Sequence, residues 1–267
     1  MDQDIKLLRR AYIDLLRDTI INAIYDDPGV APLKPWQVLK RLAGETHRVK
    51  GFDAAKRDRG LDWPLVAHSM IGRKRMDNLI YAMTDVLERG VPGDFIETGV
   101  WRGGACILMR GILRAYGDGQ RKVWVADSFV GLPPPNAAKY AADRGDEHYK
   151  NTVLAVSMEQ VQDNFRRYGL LDGQVGFLKG WFKDTLPAAP IAQLAVLRLD
   201  GDMYESTMDA LKAMYHKLSR GGYAIVDDYH AVQGCRQAVH DFMAAEYPDE
   251  PLNLQEIDGV GVFWQRM

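Results

Sequence analysis

Glu97-Thr98-Gly99-Val100-Trp101-Arg102-Gly103-Gly104 joins a short apolar run, residues 94–97, to a helical pattern over residues 104–116. Glycines at such a junction let a strand turn sharply and let backbones approach closely. A strand, a glycine turn and a helix open a parallel α/β sheet, and ligands of open sheets bind at the carboxyl ends of the strands, where these loops lie. The spacing excludes two phosphate-binding loops. Three residues separate Gly99 from Gly103, so the stretch is not the dinucleotide GxGxxG, and no Gly-Lys-Ser/Thr makes it a P-loop. Glu97, just ahead of the glycines, suits a ligand carrying positive charge. The competing reading is a tight turn with no ligand.

Outward from this stretch the pattern is regular. Further strands are predicted over 122–126, 175–178, 194–199 and 223–226, with helices over 158–168, 204–218 and 233–246 between and after them. Such alternation builds a mostly parallel, Rossmann-like α/β sheet with helices on both faces. Two strands close in sequence, 252–258 and 261–265, imply an antiparallel hairpin at one edge. Ahead of the sheet, Leu8, Tyr12, Leu15 and Ile20 recur with helical spacing over 5–25, and a second helix runs over 73–89. The segment 26–62 reads as irregular. The expected division is an N-terminal helical cap, 1–92, and a cofactor-binding catalytic domain, 93–267.

The second strand ends in Ala126-Asp127-Ser128. An acid there can accept hydrogen bonds from both hydroxyls of a ribose; a cap or loop carboxylate is the alternative. Glycine turn and acid together indicate a nucleoside-containing ligand, and the glycine spacing favours S-adenosylmethionine over NAD.

The fourth strand ends in Arg198-Leu199-Asp200-Gly201-Asp202 and the fifth in Val226-Asp227-Asp228-Tyr229. If these strands are neighbours they lie roughly 4.8 Å apart, and four carboxylates crowd one end of the sheet. Like charges raise one another's pKa; a hard divalent cation with oxygen ligands relieves them. No His and Cys cluster competes for a softer metal. Asp227 and Asp228 are consecutive, so both reach one ion only if the strand has already become a loop. Asp200 and Asp202, two apart, would share a face in an extended chain. The alternative is a set of helix caps and ion pairs with Arg198, Arg220 or Arg236.

Composition narrows the function. The chain has 267 residues, 47% of them hydrophobic, and a formal net charge of -2. That is enough for a sizeable core and too little positive charge for a nucleic-acid binder. The basic stretch containing Arg57, Arg59, Arg73, Lys74 and Arg75 is interrupted by acids and reads as a solvated face. Cys106 and Cys235 match no metal spacing, and Cys106 reads as core. With no signal peptide at the start and no run long enough to span a bilayer, a cytoplasmic, membrane-free setting is expected.

At these residues the chain resembles the macrocin O-methyltransferase family, which includes the mycinamicin and novobiocin sugar methyltransferases. The matching stretches are Val66-Ala67-His68-Ser69-Met70-Ile71-Gly72, Gly90-Val91-Pro92-Gly93-Asp94, the glycine turn from Glu97 to Ala105, Val123 to Phe129, Tyr168-Gly169-Leu170-Leu171-Asp172, Gly180-Trp181-Phe182-Lys183-Asp184-Thr185, Asp200-Gly201-Asp202-Met203-Tyr204 and Val226-Asp227-Asp228-Tyr229. They cover most of the chain from Leu61 on. The resemblance implies a class I S-adenosylmethionine-dependent O-methyltransferase of antibiotic biosynthesis, acting on a sugar hydroxyl. It implies that Glu97, Thr98, Gly99, Val100, Trp101 and Gly103 hold the methionine end of the cofactor, Asp127 and Ser128 the ribose, and that Gly180 and Trp181 lie near the adenine. Ser69 and Met70 would close the site from the cap. Asp200, Asp227 and Asp228 would hold Mg²⁺, and Asp202 would be the general base. It also suggests subunits sharing N-terminal arms, most simply a homodimer.

The chain departs from the family over 136–156, at His230-Ala231-Val232-Gln233, and over 30–59. These regions should choose the acceptor. Residues 136–156 are long for a loop and are expected to form a lid that orders with substrate. His148 within it is a second candidate base or a substrate ligand; His230 could join the metal shell; His68 is expected to orient the cap. Two other readings remain: a metal-dependent methyltransferase for phenols or catechols, and a non-catalytic module that kept the cofactor site.

Overall fold

The computed structural model describes residues 2–34, 36–42, 44 and 47–267. The N-terminal part comprises α1 (Asp2–Ile20), β1 (Gly29–Pro32), α2 (Val38–Leu42), β2 (His47–Lys50), α3 (Ala54–Asp58), β3 (Trp63–Pro64) and α4 (Gly72–Glu88). The sheet region follows as β4 (Asp94–Thr98), α5 (Gly104–Tyr116), β5 (Val123–Asp127), α6 (Met158–Arg167), β6 (Val175–Lys179), α7 (Phe182–Thr185) and β7 (Leu194–Leu199). It ends with α8 (Tyr204–Met214), β8 (Leu218–Val226), α9 (Gln233–Glu246), β9 (Gln255–Glu256) and β10 (Val262–Gln265).

Seven strands form one sheet in the order β6-β5-β4-β7-β8-β10-β9. The first five run parallel, and β10 pairs antiparallel with both β8 and β9. The expected Rossmann-like sheet with an antiparallel edge is therefore present. The central strand β7, Leu-Ala-Val-Leu-Arg-Leu, is buried along its whole length, as a strand covered on both faces must be. One face carries α1, α4, α5 and α6, with Phe95, Val125 and Ile225 among the residues they cover; α8 and α9 cover the other over Ile96, Leu197 and Val226. Gly111 of α5 lets α1 nest close: a Cβ there would lie 2.1 Å from Leu16 Cδ2.

Two expectations are corrected. The segment 26–62 is not irregular: β1 is the middle strand of a three-stranded antiparallel sheet, β2-β1-β3. Strands this short carry no readable periodicity; residues 35, 43, 45 and 46 of the segment lie outside the described residues. The helix expected over 204–218 is α-helical to Met214 and continues as a 3-10 turn, Tyr215–Lys217, while β8 begins at Leu218, five residues earlier than expected. Gly221 and Gly222 lie inside β8, whose pairing with β7 shifts register between Leu194 and Val196.

The basic stretch is not wholly a solvated face either. Arg57 is buried and bonds Asp62 at 2.8 Å and the Asp27 carbonyl at 2.8 Å. The Asp27 carboxylate accepts from the backbone of Val66 and Ala67 and so ties the segments on either side of the small sheet together. Arg75 is also buried, within the site described next.

Candidate active site

Two adjoining cavities, about 270 and 510 Å³, lie at the carboxyl ends of β4, β5, β7 and β8. Gly99, Leu132, Asp127, Asp200 and Asp202 line both and form their common wall. The smaller cavity is completed by Ser128, Gly180, Trp181, Phe182 and the Pro133-Pro134 pair. The larger one takes Ser69 and Met70 from the cap, Glu97, Val100 and Trp101 from the glycine turn, His148 from the long loop, and Asp227 and Asp228 from the end of β8. Lys50 and Trp63 of the cap sheet also line it. Sequence reasoning missed these two, because it saw no sheet there.

The glycine turn packs against protein. Gly99 has φ +88, and a Cβ there would stand 1.8 Å from the Asp200 carbonyl oxygen, so the ends of β4 and β7 touch at this point. Gly103, also at positive φ, faces Val161. Thr98 and Gly103 line neither cavity. The Gly104 amide donates to the His68 carbonyl at 3.0 Å, which seats Ser69 and Met70 over the turn. His68 Nδ1 lies 2.8 Å from the Tyr168 hydroxyl. Burial, then the charges of Arg167 and Arg102, push its pKa down to about 4 and keep it neutral.

Asp127 already holds its own loop. Its Oδ2 accepts from the Val100 amide at 2.8 Å and its Oδ1 from the Phe129 amide at 2.7 Å. A carboxylate has about four acceptor positions, so capacity for a ribose remains. Burial raises its pKa against the pull of these amides.

An arginine inside a strand gathers several of these carboxylates. Arg198 of β7 is buried, and its guanidinium donates to Glu97 at 2.6 Å, to Asp200 at 2.7 Å and to Asp227. Arg75 of α4 donates to the other oxygen of Asp227 and to Asp258 at 3.0 Å. Two guanidiniums thus face six carboxylates: Glu97, Asp200, Asp202, Asp227, Asp228 and Asp258. The ion-pair reading is right for Arg198. Arg220 instead donates to the Met267 carbonyl, and Arg236 stands over the Tyr229 ring.

β8 ends at Val226, so Asp227 and Asp228 are both in loop and can converge; oxygens of Asp200, Asp227 and Asp228 lie within 4.8 Å of one another. Asp228 is the exceptional member. Its Oδ2 accepts the Asp202 amide at 3.2 Å, and no guanidinium or ammonium pairs with it among the described residues. Burial, then the charges of Asp202, Asp200 and Asp227, raise its pKa strongly. Burial likewise pushes Glu97 up to about 7 despite Arg198, and Asp200 up to about 6. This excess of hard oxygen donors fits a divalent cation.

Asp200 and Asp202 do not share a strand face. β7 stops at Leu199, and Asp202 adopts the left-handed region at φ 58, uncommon for a residue with a side chain but tolerated by Asp. Its pKa is pushed up to about 7, by burial first and the Asp200 charge second, with His148 opposing. His148 joins the cavity, with Nδ1 2.7 Å from Asp146 Oδ2. His230 turns away to Glu256 at 3.3 Å and lines neither cavity.

A family model described as macrocin-O-methyltransferase matches residues 9–266. The chain is 53% identical to an 8-demethyl-8-(2,3-dimethoxy-alpha-L-rhamnosyl)-tetracenomycin-C 4'-O-methyltransferase of Streptomyces olivaceus, over 96% of this chain and 93% of that protein. It is 51% identical to the demethyldecarbamoylnovobiocin O-methyltransferase of Streptomyces niveus, with the same coverages. The mycinamicin III 3''-O-methyltransferase of Micromonospora griseorubida is 48% identical, with 96% of each covered. The solved structure of the O-methyltransferase NovP matches with a TM-score of 0.86 at 49% identity, covering 97% of this chain and 99% of that one. The calicheamicin methyltransferase CalS11, at 18% identity and a TM-score of 0.57, shares the fold.

Proposed function

The chain belongs to the macrocin-O-methyltransferase family, an S-adenosylmethionine-dependent O-methyltransferase family, and on that premise we propose that it methylates a sugar hydroxyl of a glycosylated natural product with Mg²⁺ as second cofactor. The observation carrying this reading is the cluster of carboxylates at the ends of β7 and β8, with Asp200 and Asp202 at the wall common to both cavities, Asp227 and Asp228 in the larger one, and no cationic side chain paired with Asp228 among the described residues. The relatives' names support the acceptor class: one is named for a rhamnosyl tetracenomycin, and the other two for a novobiocin derivative and mycinamicin III.

In this reading the cofactor's nucleoside end takes the smaller cavity, between Asp127, Ser128, Gly180 and Trp181, and its methionine end reaches Glu97, Gly99, Val100 and Trp101, with Thr98 and Gly103 shaping the turn. Ser69 and Met70 close over it from the cap. Asp200, Asp227 and Asp228 would hold the ion. When bound, the cofactor supplies an electrophilic methyl group, and the ion makes a weakly acidic hydroxyl easier to ionise. The residues then orient the hydroxyl, exclude water and take its proton at the Asp202 carboxylate. The first 92 residues act as the cap, and 93–267 carry the sheet and the chemistry.

The test is methyl transfer from S-adenosylmethionine to a panel of glycosides, free sugars and catechols, with and without chelator. Glycoside methylation abolished by chelator and restored by Mg²⁺ is expected. Chelator-insensitive turnover would remove the metal from this reading, and preference for catechols would remove the sugar.

A further inference from the structure

We propose that Asp146 and His148 form a proton-exit dyad, in which Asp146 is a positioning residue that holds His148 so that Nε2 carries the acceptor's proton out of the site. The inference rests on the reading above that a hydroxyl is methylated beside Asp202, and it adds what that reading leaves unassigned. Each turnover breaks the acceptor O–H bond, whose electron pair forms the O–CH₃ bond. The S–CH₃ pair returns to sulfur, leaving a neutral thioether and one proton. That proton must leave a wall crowded with carboxylates before the next acceptor is ionised.

The dyad has the geometry for this. Both carboxylate oxygens of Asp146 are spent on the same histidine: Oδ2 lies 2.7 Å from His148 Nδ1, and Oδ1 accepts the His148 amide at 2.9 Å. Ring and backbone are thus held together. An ionised carboxylate only accepts, so neutral His148 keeps its proton on Nδ1 and presents a bare lone pair at Nε2. Among the described residues no protein group bonds Nε2. The Asp146 side chain is 10% exposed, while that of His148 is 38% exposed and lines the cavity that contains Asp202 and Asp228. His148 therefore meets both the reacting region and water.

The mounting is specific as well. Asp143, three residues before Asp146, accepts the amides of Tyr204 at 2.6 Å and Glu205 at 3.0 Å at the start of α8. That helix begins two residues after Asp202, so the loop carrying the dyad is fastened to the loop carrying the first proton acceptor. The charged groups acting on His148 are Asp146 on its own turn and Asp202 from the opposite loop. Burial opposes its protonation, yet these two outweigh burial and raise its pKa.

The experiment is steady-state methylation by His148→Ala and Asp146→Asn, with S-adenosylhomocysteine binding as the check that each variant has folded with its site intact. His148→Ala should lose roughly 10²-fold in kcat, the lower end for a proton-transferring group, with acceptor KM changed little. Added imidazole should restore turnover in proportion to its concentration. Asp146→Asn should lower kcat and move the acid limb of its pH profile to lower pH, because a carboxylate that raises the basicity of His148 is gone. A raised KM without imidazole rescue would make His148 an acceptor-binding residue and overturn the proposal. Parent-like kcat and pH profile in both variants would overturn it too. The reading beneath it fails differently: if the parent methylates catechols only, the same rescue is measured on a catechol, and its presence or absence decides the dyad in the same way.

Discussion

Arg198 decides more of this site than any aspartate does. An arginine in a strand buried on both faces must find anionic partners, and it finds Glu97, Asp200 and Asp227. Substitutions in the cluster should therefore separate. Asp227→Asn leaves Arg75 and Arg198 each short of a partner, and breaking a buried pair costs about 3–5 kcal/mol. Asp228→Asn removes a carboxylate that pairs with no cationic side chain among the described residues, so it should leave stability unchanged or raised while abolishing any rise of Tm with Mg²⁺. Chemical denaturation and thermal melts with and without Mg²⁺ measure both effects; an Mg²⁺-dependent rise of Tm surviving in Asp228→Asn would place the ion elsewhere. Asp202→Asn should bind cofactor and metal normally and turn over about 10²–10⁴-fold more slowly, the usual contribution of a general base. Turnover within a few-fold of the parent would exclude Asp202 from that role. The pH dependence follows from the same charges. Asp200 titrates at about 6 and Glu97 and Asp202 at about 7 in the folded chain, against about 4 unfolded. Between those values the folded state binds more protons than the unfolded state, so stability falls as pH rises from about 4 to about 7. Metal-free protein should melt at a lower temperature at pH 8 than at pH 6, and Mg²⁺ should narrow the gap. A flat profile without metal would show that the cluster is already neutralised.

At the scale of elements, turns and caps that read as ligand features also hold the fold. Asp127 bonds two amides of its own loop. Asp127→Ala should weaken S-adenosylmethionine by about 1.5–3 kcal/mol, the scale of hydrogen bonds to a charged group, and should also loosen the amides of Val100 and Phe129 in hydrogen exchange. Unchanged cofactor affinity would make it a loop brace alone. The loop over 136–156 holds three short 3-10 turns, Ala141–Asp143, His148–Lys150 and Thr152–Leu154. It is pinned at Asp143 to α8 and at the Val153 carbonyl, which accepts the Trp101 indole N–H at 2.9 Å. Exchange without acceptor should be slow near these pins and fast between them, about residues 144–151, with protection appearing there on acceptor binding. Asp143→Ala removes a cap from α8, with a cost of about 0.5–2 kcal/mol, and should free the whole loop. Equal protection across the loop with and without acceptor would mean that it does not act as a lid.

For the molecule as a whole, α1 is the element whose surface is unfinished. Ile13, Leu16 and Ile20 are buried, with Leu16 packed into the Gly111 gap of α5. Ile5, Leu8, Tyr12 and Leu15 form a second stripe at helical spacing and are exposed, Leu8 by 70% and Leu15 by 61%. Tyr25 and Val66 are exposed apolar residues too. An exposed apolar stripe such as that of α1 is suited to association, and a second copy in a two-fold dimer is the simplest occupant. The double substitution Leu8→Lys with Leu15→Lys should yield a folded monomer, because neither side chain packs in the protomer core. Sedimentation equilibrium at micromolar concentration reads this directly, and a monomeric parent would refute the dimer.

The sequence alone determined the sheet and the residues at the carboxyl ends of its strands. Strand–helix alternation, the glycine turn after β4, the acid ending β5 and the aspartates ending β7 and β8 are local signals, since each depends on residues a few positions apart. The helix bounds at Gly104–Tyr116 and Gln233–Glu246 were legible for the same reason: apolar periodicity persists over whole turns. The cap sheet was not, because its strands have four, four and two residues and are stabilised by pairing across gaps in sequence. Nor could sequence distinguish the two stripes of α1, since both have helical spacing and only packing against α5 chose Ile13, Leu16 and Ile20. The tertiary structure also decided the charge arrangement. Arg75 meets Asp227 from 152 residues away, and Gly99 is required by the Asp200 carbonyl beside it. Which carboxylates are paired with arginine, and which is left without such a partner among the described residues, depends on distances between strand ends that no local pattern encodes.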